Sequence, residues 1–171
     1  MRERVQIDFY DCLDGLQKRM RDEGVLCTVV DGSGRQNLLT LGWGLFGPHY
    51  VHDHPIMVIA ITPRRFSWRF LEEVPDFVIA VPDDSLRPAV ALCGSASGQE
   101  MDKFAAAGLT RVPSLQVKAP SIAECPLNIE CRTYTRVHPP HTLLTPSHRE
   151  RPISEQHTIY FAEVLGTYRW A

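Results

Sequence analysis

Apolar positions Phe9, Leu13, Leu16 and Met20 recur at helical spacing and Gly24 follows as a C-cap, so residues 8–22 are expected to form an amphipathic helix. Val25-Leu26-Cys27-Thr28-Val29-Val30 then reads as a strand, Asp31-Gly32-Ser33-Gly34 as a turn, and residues 37–43 as the returning strand of a β-hairpin. Residues 42–55, rich in Gly, Pro and His, predict a loop. The uninterrupted run Ile56-Met57-Val58-Ile59-Ala60-Ile61 predicts a buried strand.

Thr62 then reads as an N-cap with Pro63 at the first helical position, opening a helix to residue 73 with Phe66, Phe70 and Leu71 on its inner side. Residues 77–81 predict another strand, and Asp83 or Asp84 caps a short helix running to residue 92. Residues 99–107 predict a helix ended by Gly108, and residues 114–117 a short strand. Two long partner strands follow at 127–137 and 158–168. The proline- and histidine-rich connection between them, 138–156, has no periodicity, and connections of that length are usually functional or disordered. Several strands with a few short helices favour a mainly β, mostly antiparallel barrel or sandwich in one domain over a doubly wound sheet.

At 171 residues the chain can bury a real core without disulfides or structural metal. A formal net charge of −2 argues against a nucleic-acid partner, and no apolar run approaches the roughly 18 residues of a bilayer span. The first 14 residues mix charges and lack the apolar centre of a signal peptide, so the expectation is a cytoplasmic protein. The five cysteines are odd in number and show no C-x-x-C spacing, which reads as buried free thiols.

The candidate chemistry gathers in three places. Thr62-Pro63-Arg64-Arg65-Phe66-Ser67-Trp68 and Cys93-Gly94-Ser95-Ala96-Ser97-Gly98, the latter followed by Lys103, each offer hydroxyls, a cation and backbone N–H groups at an expected helix start. That is the donor set of a phosphate-monoester site, with Thr62, Arg65, Ser67, Ser95, Ser97, Gly98 and Lys103 as its candidates. Arg64 and Arg65 read equally as solvated helix-surface residues. The third place is Asn37-Leu38-Leu39-Thr40-Leu41-Gly42-Trp43, where Asn37 and Thr40 interrupt a buried strand and open backbone adjoins Trp43. A flat heterocycle could lie there, against Leu39, Leu41 and Gly42; alternatively Trp43 is core and Asn37 only ends the turn. His49, His52 and His54, and His138 with His141, raise a metal site, but no carboxylate or cysteine joins them at zinc-type spacing. No catalytic acid–base pair is evident.

Taken in order, N-L-L-T-L-G-W (37–43), D-H-P-I-M-V-I-A-I-T-P-R-R-F-S-W (53–68), C-G-S-A-S-G (93–98), M-D-K-F (101–104), K-A-P-S-I-A-E-C-P-L-N-I-E-C (118–131) and H-T-I-Y-F-A-E-V (157–164) resemble the flavoredoxin branch of the flavin reductase-like family. The resemblance implies a Greek-key FMN-binding split β-barrel, a homodimer, and electrons passed from NADH or NADPH through FMN to an acceptor that the motifs do not specify. FAD is the less fitting flavin, and a carrier without nicotinamide activity is the alternative. By resemblance, Asn37, Thr40 and the backbone of Leu41 to Trp43 would face the flavin ring, and Arg65, Ser67, Ser97 and Lys103 would hold the phosphate. His157 and Glu163 match the late strand without a defined role. Four departures stand out: His54 where relatives often carry proline, Thr62 where an arginine is common, the length of 138–156, and a helix in the first two dozen residues where many relatives begin with a strand.

Overall fold

The computed structural model describes residues 3–49 and 53–171. Among the described residues there are ten strands: β1 (Arg4–Gln6), β2 (Val25–Val30), β3 (Gln36–Leu41), β4 (Leu45–Gly47), β5 (Ile56–Ile61), β6 (Asp76–Val81), β7 (Arg111–Val112), β8 (Ser121–Ile122), β9 (Leu127–Val137) and β10 (Thr158–Trp170). The helices are α1 (Leu13–Asp22), α2 (Phe66–Glu73), α3 (Arg87–Ser95) and α4 (Lys103–Ala106). Eight strands form one antiparallel sheet in the order β3-β2-β6-β9-β10-β5-β4, with β1 added to β10. Strands β7 and β8 form a separate pair.

Alternation along the strands sorts the core into two layers. Val25, Cys27 and Val29 of β2, Leu39 and Leu41 of β3, and Met57, Ile59 and Ile61 of β5 share one apolar cluster with Phe9, Leu16 and Met20 from the N-terminal helical segment. Residues from near both ends of the sheet meet in that cluster, so the sheet is curled into an open barrel. The intervening side chains Leu26, Leu38 and Ala80 face outward and are covered by Ala89, Val90, Cys93 and Phe104 from α3 and α4. Burial on both faces is why β2, β5 and β6 read as unbroken apolar runs.

Several expected boundaries move. The helix expected from residue 8 is a short 3-10 turn, Tyr10–Cys12, leading into α1, because the Asp8 carboxylate accepts from the Tyr10 N–H and Ile7 is still bonded to Thr167. Gly24 does end α1, at φ +93 with its N–H on the Arg19 carbonyl. Residues 42–55 are not wholly loop, since Leu45–Gly47 pairs with β5 as a three-residue edge strand too short to show a period. Residues 114–117 are not a strand. The buried Glu130 carboxylate accepts from the N–H groups of Leu115 and Gln116, and these bonds replace a ladder. The connection 138–156 carries two 3-10 turns, Pro146–His148 and Ile153–Glu155.

Candidate functional site

The helix after β5 starts later than its sequence suggests. The Thr62 carbonyl accepts from the Arg65 N–H at 3.0 Å, so Thr62 to Arg65 form a turn and Arg65, with extended backbone, is the N-cap of α2. Thr62 is therefore not the cap. Arg65 and Ser67 still flank the first turn of α2, where unpaired N–H groups favour an anion.

Cys93 to Gly98 do not lie at a helix start. Cys93, Gly94 and Ser95 are the last residues of α3, and the Ser95 hydroxyl donates back to the carbonyls of Ala91 and Leu92. After a turn in which Ser97 accepts from Glu100, Asp102 caps α4 by accepting from Phe104 and Ala105. The helix expected over 99–107 is thus only Lys103–Ala106, with Lys103 at its first position. One helix start and one helix end face the site, not two starts.

The end of α3 would oppose an anion, and Lys103 corrects this. Its buried Nζ donates to the Cys93 carbonyl at 2.8 Å, which leaves two of its three N–H donors for another acceptor. Burial, with the Arg65 guanidinium nearby, holds its amine below the usual lysine range. Across the cleft, Asn37 Nδ2 donates to Ser67 Oγ at 2.9 Å, so the Ser67 hydrogen is free to point elsewhere. Gly98 packs on Asn37 so closely that a Cβ would stand 2.1 Å from Asn37 Oδ1. The resulting cleft, about 170 Å³, is lined by Asn37, Arg64, Arg65, Ser67, Ser97 and Lys103 among others, and by no carboxylate of the described residues.

That cleft opens past Leu39, Thr40 and Arg65 into a second one of about 220 Å³, walled by Gly42, Trp43, Thr62 and His157. The Trp43 ring is half exposed and meets the His157 imidazole edge-on at 6.2 Å. Burial first, and then Arg151, Arg65 and His141, hold His157 below the usual histidine range, so it is neutral at pH 7. The Thr40 hydroxyl donates to the Val90 carbonyl at 2.6 Å, so it fastens α3 to the site strand. β3 ends the ordered sheet, and an edge strand leaves alternate backbone groups without ladder partners.

All thirteen sequence candidates line these two clefts, with Ser95 turned back into its own helix. Phe66 and Gly94 also line the first cleft. Gly94 leaves room for Thr40, whose Cβ would lie 3.3 Å from an added methyl. The connection 138–156 reaches the site through the Arg64–Glu155 ion pair at 2.9 Å and through His141 Nε2 on the His157 carbonyl at 2.6 Å. Of the candidate metal ligands, His52 lies outside the described residues, His49 pairs with Tyr134, and His138 pairs with Glu72. No group of three metal-ligating side chains gathers among the described residues. All five cysteines are buried and free, and burial pushes the Cys93 thiol up to about 11. No described helix is long and apolar enough to cross a membrane.

A flavin reductase like domain model matches residues 19–169. An uncharacterized protein of Archaeoglobus fulgidus is 34% identical over 140 residues, covering 80% of this chain and 67% of that protein. The chain spans about two thirds of the length of the curated relatives it matches, 67% and 65% in two archaeal cases. Among solved structures, flavoredoxin of Desulfovibrio vulgaris (Miyazaki F) superposes with TM-score 0.68 at 23% identity, over 84% of this chain and 67% of that one. The FMN-binding domain of a flavin reductases-like enzyme from Shewanella baltica OS155 gives TM-score 0.68 at 15% identity, over 98% and 78%. The open antiparallel barrel is therefore the split-barrel fold.

Proposed function

This chain belongs to the flavin reductase-like family, and on that premise we propose that it is an oxidoreductase that holds FMN and passes electrons from NADH or NADPH to a separate acceptor. The observation that carries the reading is the carboxylate-free cleft, with its buried ammonium and its arginines, continuous with the Trp43 groove. Two facing cations without a counter-charge fit a phosphate dianion, and a bound phosphate would favour the charged form of the Lys103 amine, which burial disfavours. Bound FMN supplies the change between two-electron and one-electron chemistry.

The protein's part is placement and electrostatics. Lys103 and Arg65 hold the phosphate, and Asn37 orients Ser67 so that its hydroxyl donates toward the same anion. Trp43 and Leu39 offer apolar surface to the ring. His157, neutral at pH 7, presents a ring N–H donor or a lone pair at the groove without adding charge. The connection 138–156 is fastened beside that end at Glu155 and His141. A homodimer is part of the proposal, since the groove is open and Trp43 and Leu45 on its β3–β4 side are exposed.

Purified protein is expected to show the yellow absorbance of bound flavin, and NADH or NADPH should bleach it anaerobically. A protein that takes up no flavin overturns the proposal. A second reading, an electron carrier, has the connection 138–156 fastened beside the ring groove meeting a protein partner in place of a nicotinamide. Under that reading flavin binds equally well but is reduced only by a protein partner.

A further inference from the structure

Two arginines outside the cofactor clefts stand at their rim. The guanidiniums of Arg35 and Arg69 lie 4.8 and 5.5 Å from the centroid of the Phe66 ring, and Phe66 itself lines the phosphate cleft. Arg35 also donates to the Gly98 carbonyl at 3.1 Å, which holds its charge in one place. Both residues are exposed, and no carboxylate pairs with either among the described residues. Asp31 instead turns its carboxylate onto the Ser33 and Arg35 N–H groups of its own turn. At the ring groove, the charges that act on the His157 imidazole are those of Arg151, Arg65 and His141, with no carboxylate among them. Arg151 is likewise exposed and paired with no carboxylate among the described residues, and the formal charges of its neighbours Arg149 and Glu150 cancel. The rim is thus positive at both ends of the two clefts, on a chain whose formal net charge is −2. Glu100 and Asp102 lie beyond Gly98 in a further hollow, where Asp102 pairs with Arg111 at 2.6 Å.

We propose that this rim is the docking surface for the electron acceptor, and that the acceptor is a protein that approaches by an acidic face. The inference rests on the flavin reading above and names the class of partner that it left open. With a phosphate dianion held by Arg65 and Lys103, and Arg64 paired with Glu155, the charges of Arg35, Arg69 and Arg151 remain uncompensated. The face therefore stays positive with the cofactor in place. A patch of one sign raises the rate of encounter with an oppositely charged partner by about 10- to 1,000-fold at low ionic strength. Its reach is about 8–10 Å at ordinary salt, so it acts on approach and orientation. Arginine suits this role, because its planar fork matches a carboxylate and stacking on an aromatic ring fixes it in advance.

The test is stopped-flow oxidation of the flavin-loaded protein, reduced anaerobically with dithionite, by two ferric haem proteins of opposite surface charge: acidic cytochrome b5 and basic cytochrome c. Each reduced flavin gives one electron to each of two haem irons, and its N–H protons go to water. Reduction of cytochrome b5 is expected to slow by about tenfold or more from low to high salt, while that of cytochrome c speeds up. Arg35→Glu combined with Arg69→Glu should slow cytochrome b5 by about tenfold at low salt and quicken cytochrome c. Bound-flavin absorbance checks that the variant keeps its cofactor; if it does not, the salt dependence of the unaltered protein decides alone. A cytochrome b5 rate indifferent to salt, no reduction of cytochrome b5, or a cytochrome c rate that rises as salt is removed overturns the docking surface. Protein that takes up no flavin overturns the functional reading instead.

Discussion

Lys103 Nζ donates to the carbonyl oxygen of Cys93 across 2.8 Å, and this bond joins the first residue of α4 to the last turn of α3. A helix C-terminus carries partial negative charge, which would repel an anion in the adjoining cleft. The ammonium cancels that charge and adds a positive one in the same place. The site is thus electropositive through a tertiary contact between two helices rather than through a second helix start.

Lys103→Met should separate the two roles of this amine. A charged hydrogen bond contributes about 1.5–3 kcal/mol, so FMN affinity should fall about ten- to a hundredfold. Calorimetry gives the constant, and circular dichroism checks that the fold persists. Unchanged affinity would remove Lys103 from the phosphate site.

Gly98→Ala places a methyl on Asn37, 2.1 Å from its Oδ1. Overpacking of this kind costs about 1–3 kcal/mol, and here it should also pull Asn37 from Ser67. Urea unfolding is expected to show the loss, and Asn37→Ala in the same chain should recover part of it, because the two changes share one contact. Strictly additive effects would contradict the packing described.

The His157 pKa lies below its ordinary value near 6.5 in the folded chain, chiefly through burial. The unfolded chain therefore binds the more protons at mildly acidic pH. The contribution to stability is complete above the unfolded pKa and is lost as pH falls through the folded one. NMR titration should find a midpoint under 6.5 that rises in Arg65→Gln, since Arg65 is one of the cations holding it down. A midpoint at or above 6.5 would refute the assignment.

Glu72 fastens the start of the long connection to α2. It accepts from the Tyr160 hydroxyl at 2.9 Å, pairs with His138 at 2.9 Å and lies 3.3 Å from Arg136. Glu72→Ala removes the carboxylate acceptor of the buried Tyr160 hydroxyl and leaves it only Thr158, at about 1–3 kcal/mol. Glu72→Gln can keep that bond and should cost under about 1 kcal/mol, as half-exposed ion pairs do. Limited proteolysis is expected to cut within 138–156 faster in the alanine variant than in the glutamine one. Equal rates would show that Tyr160 is not the anchor.

Alternation and length were enough to read β2, β5, β6, β9 and β10 from the chain, because a strand buried on one or both faces declares itself by which side chains it can carry. The residue types at 37–43, 62–67 and 93–103 could be singled out as one candidate site because few other side chains supply that chemistry, and the fold brings them to two adjoining clefts. Sequence alone could not place helix starts such as Arg65, since the Thr62 turn and the Asn37–Ser67 bond compete with local capping preference. It could not show 115–116 as loop, because the acceptor that satisfies their N–H groups, Glu130, is distant in the chain. Nor could it reveal that β6 lies between β2 and β9, or that the cation opposing the end of α3 is Lys103. Local sequence determines which groups are available; the partner each group meets depends on contacts between distant segments, and only the folded chain decides those.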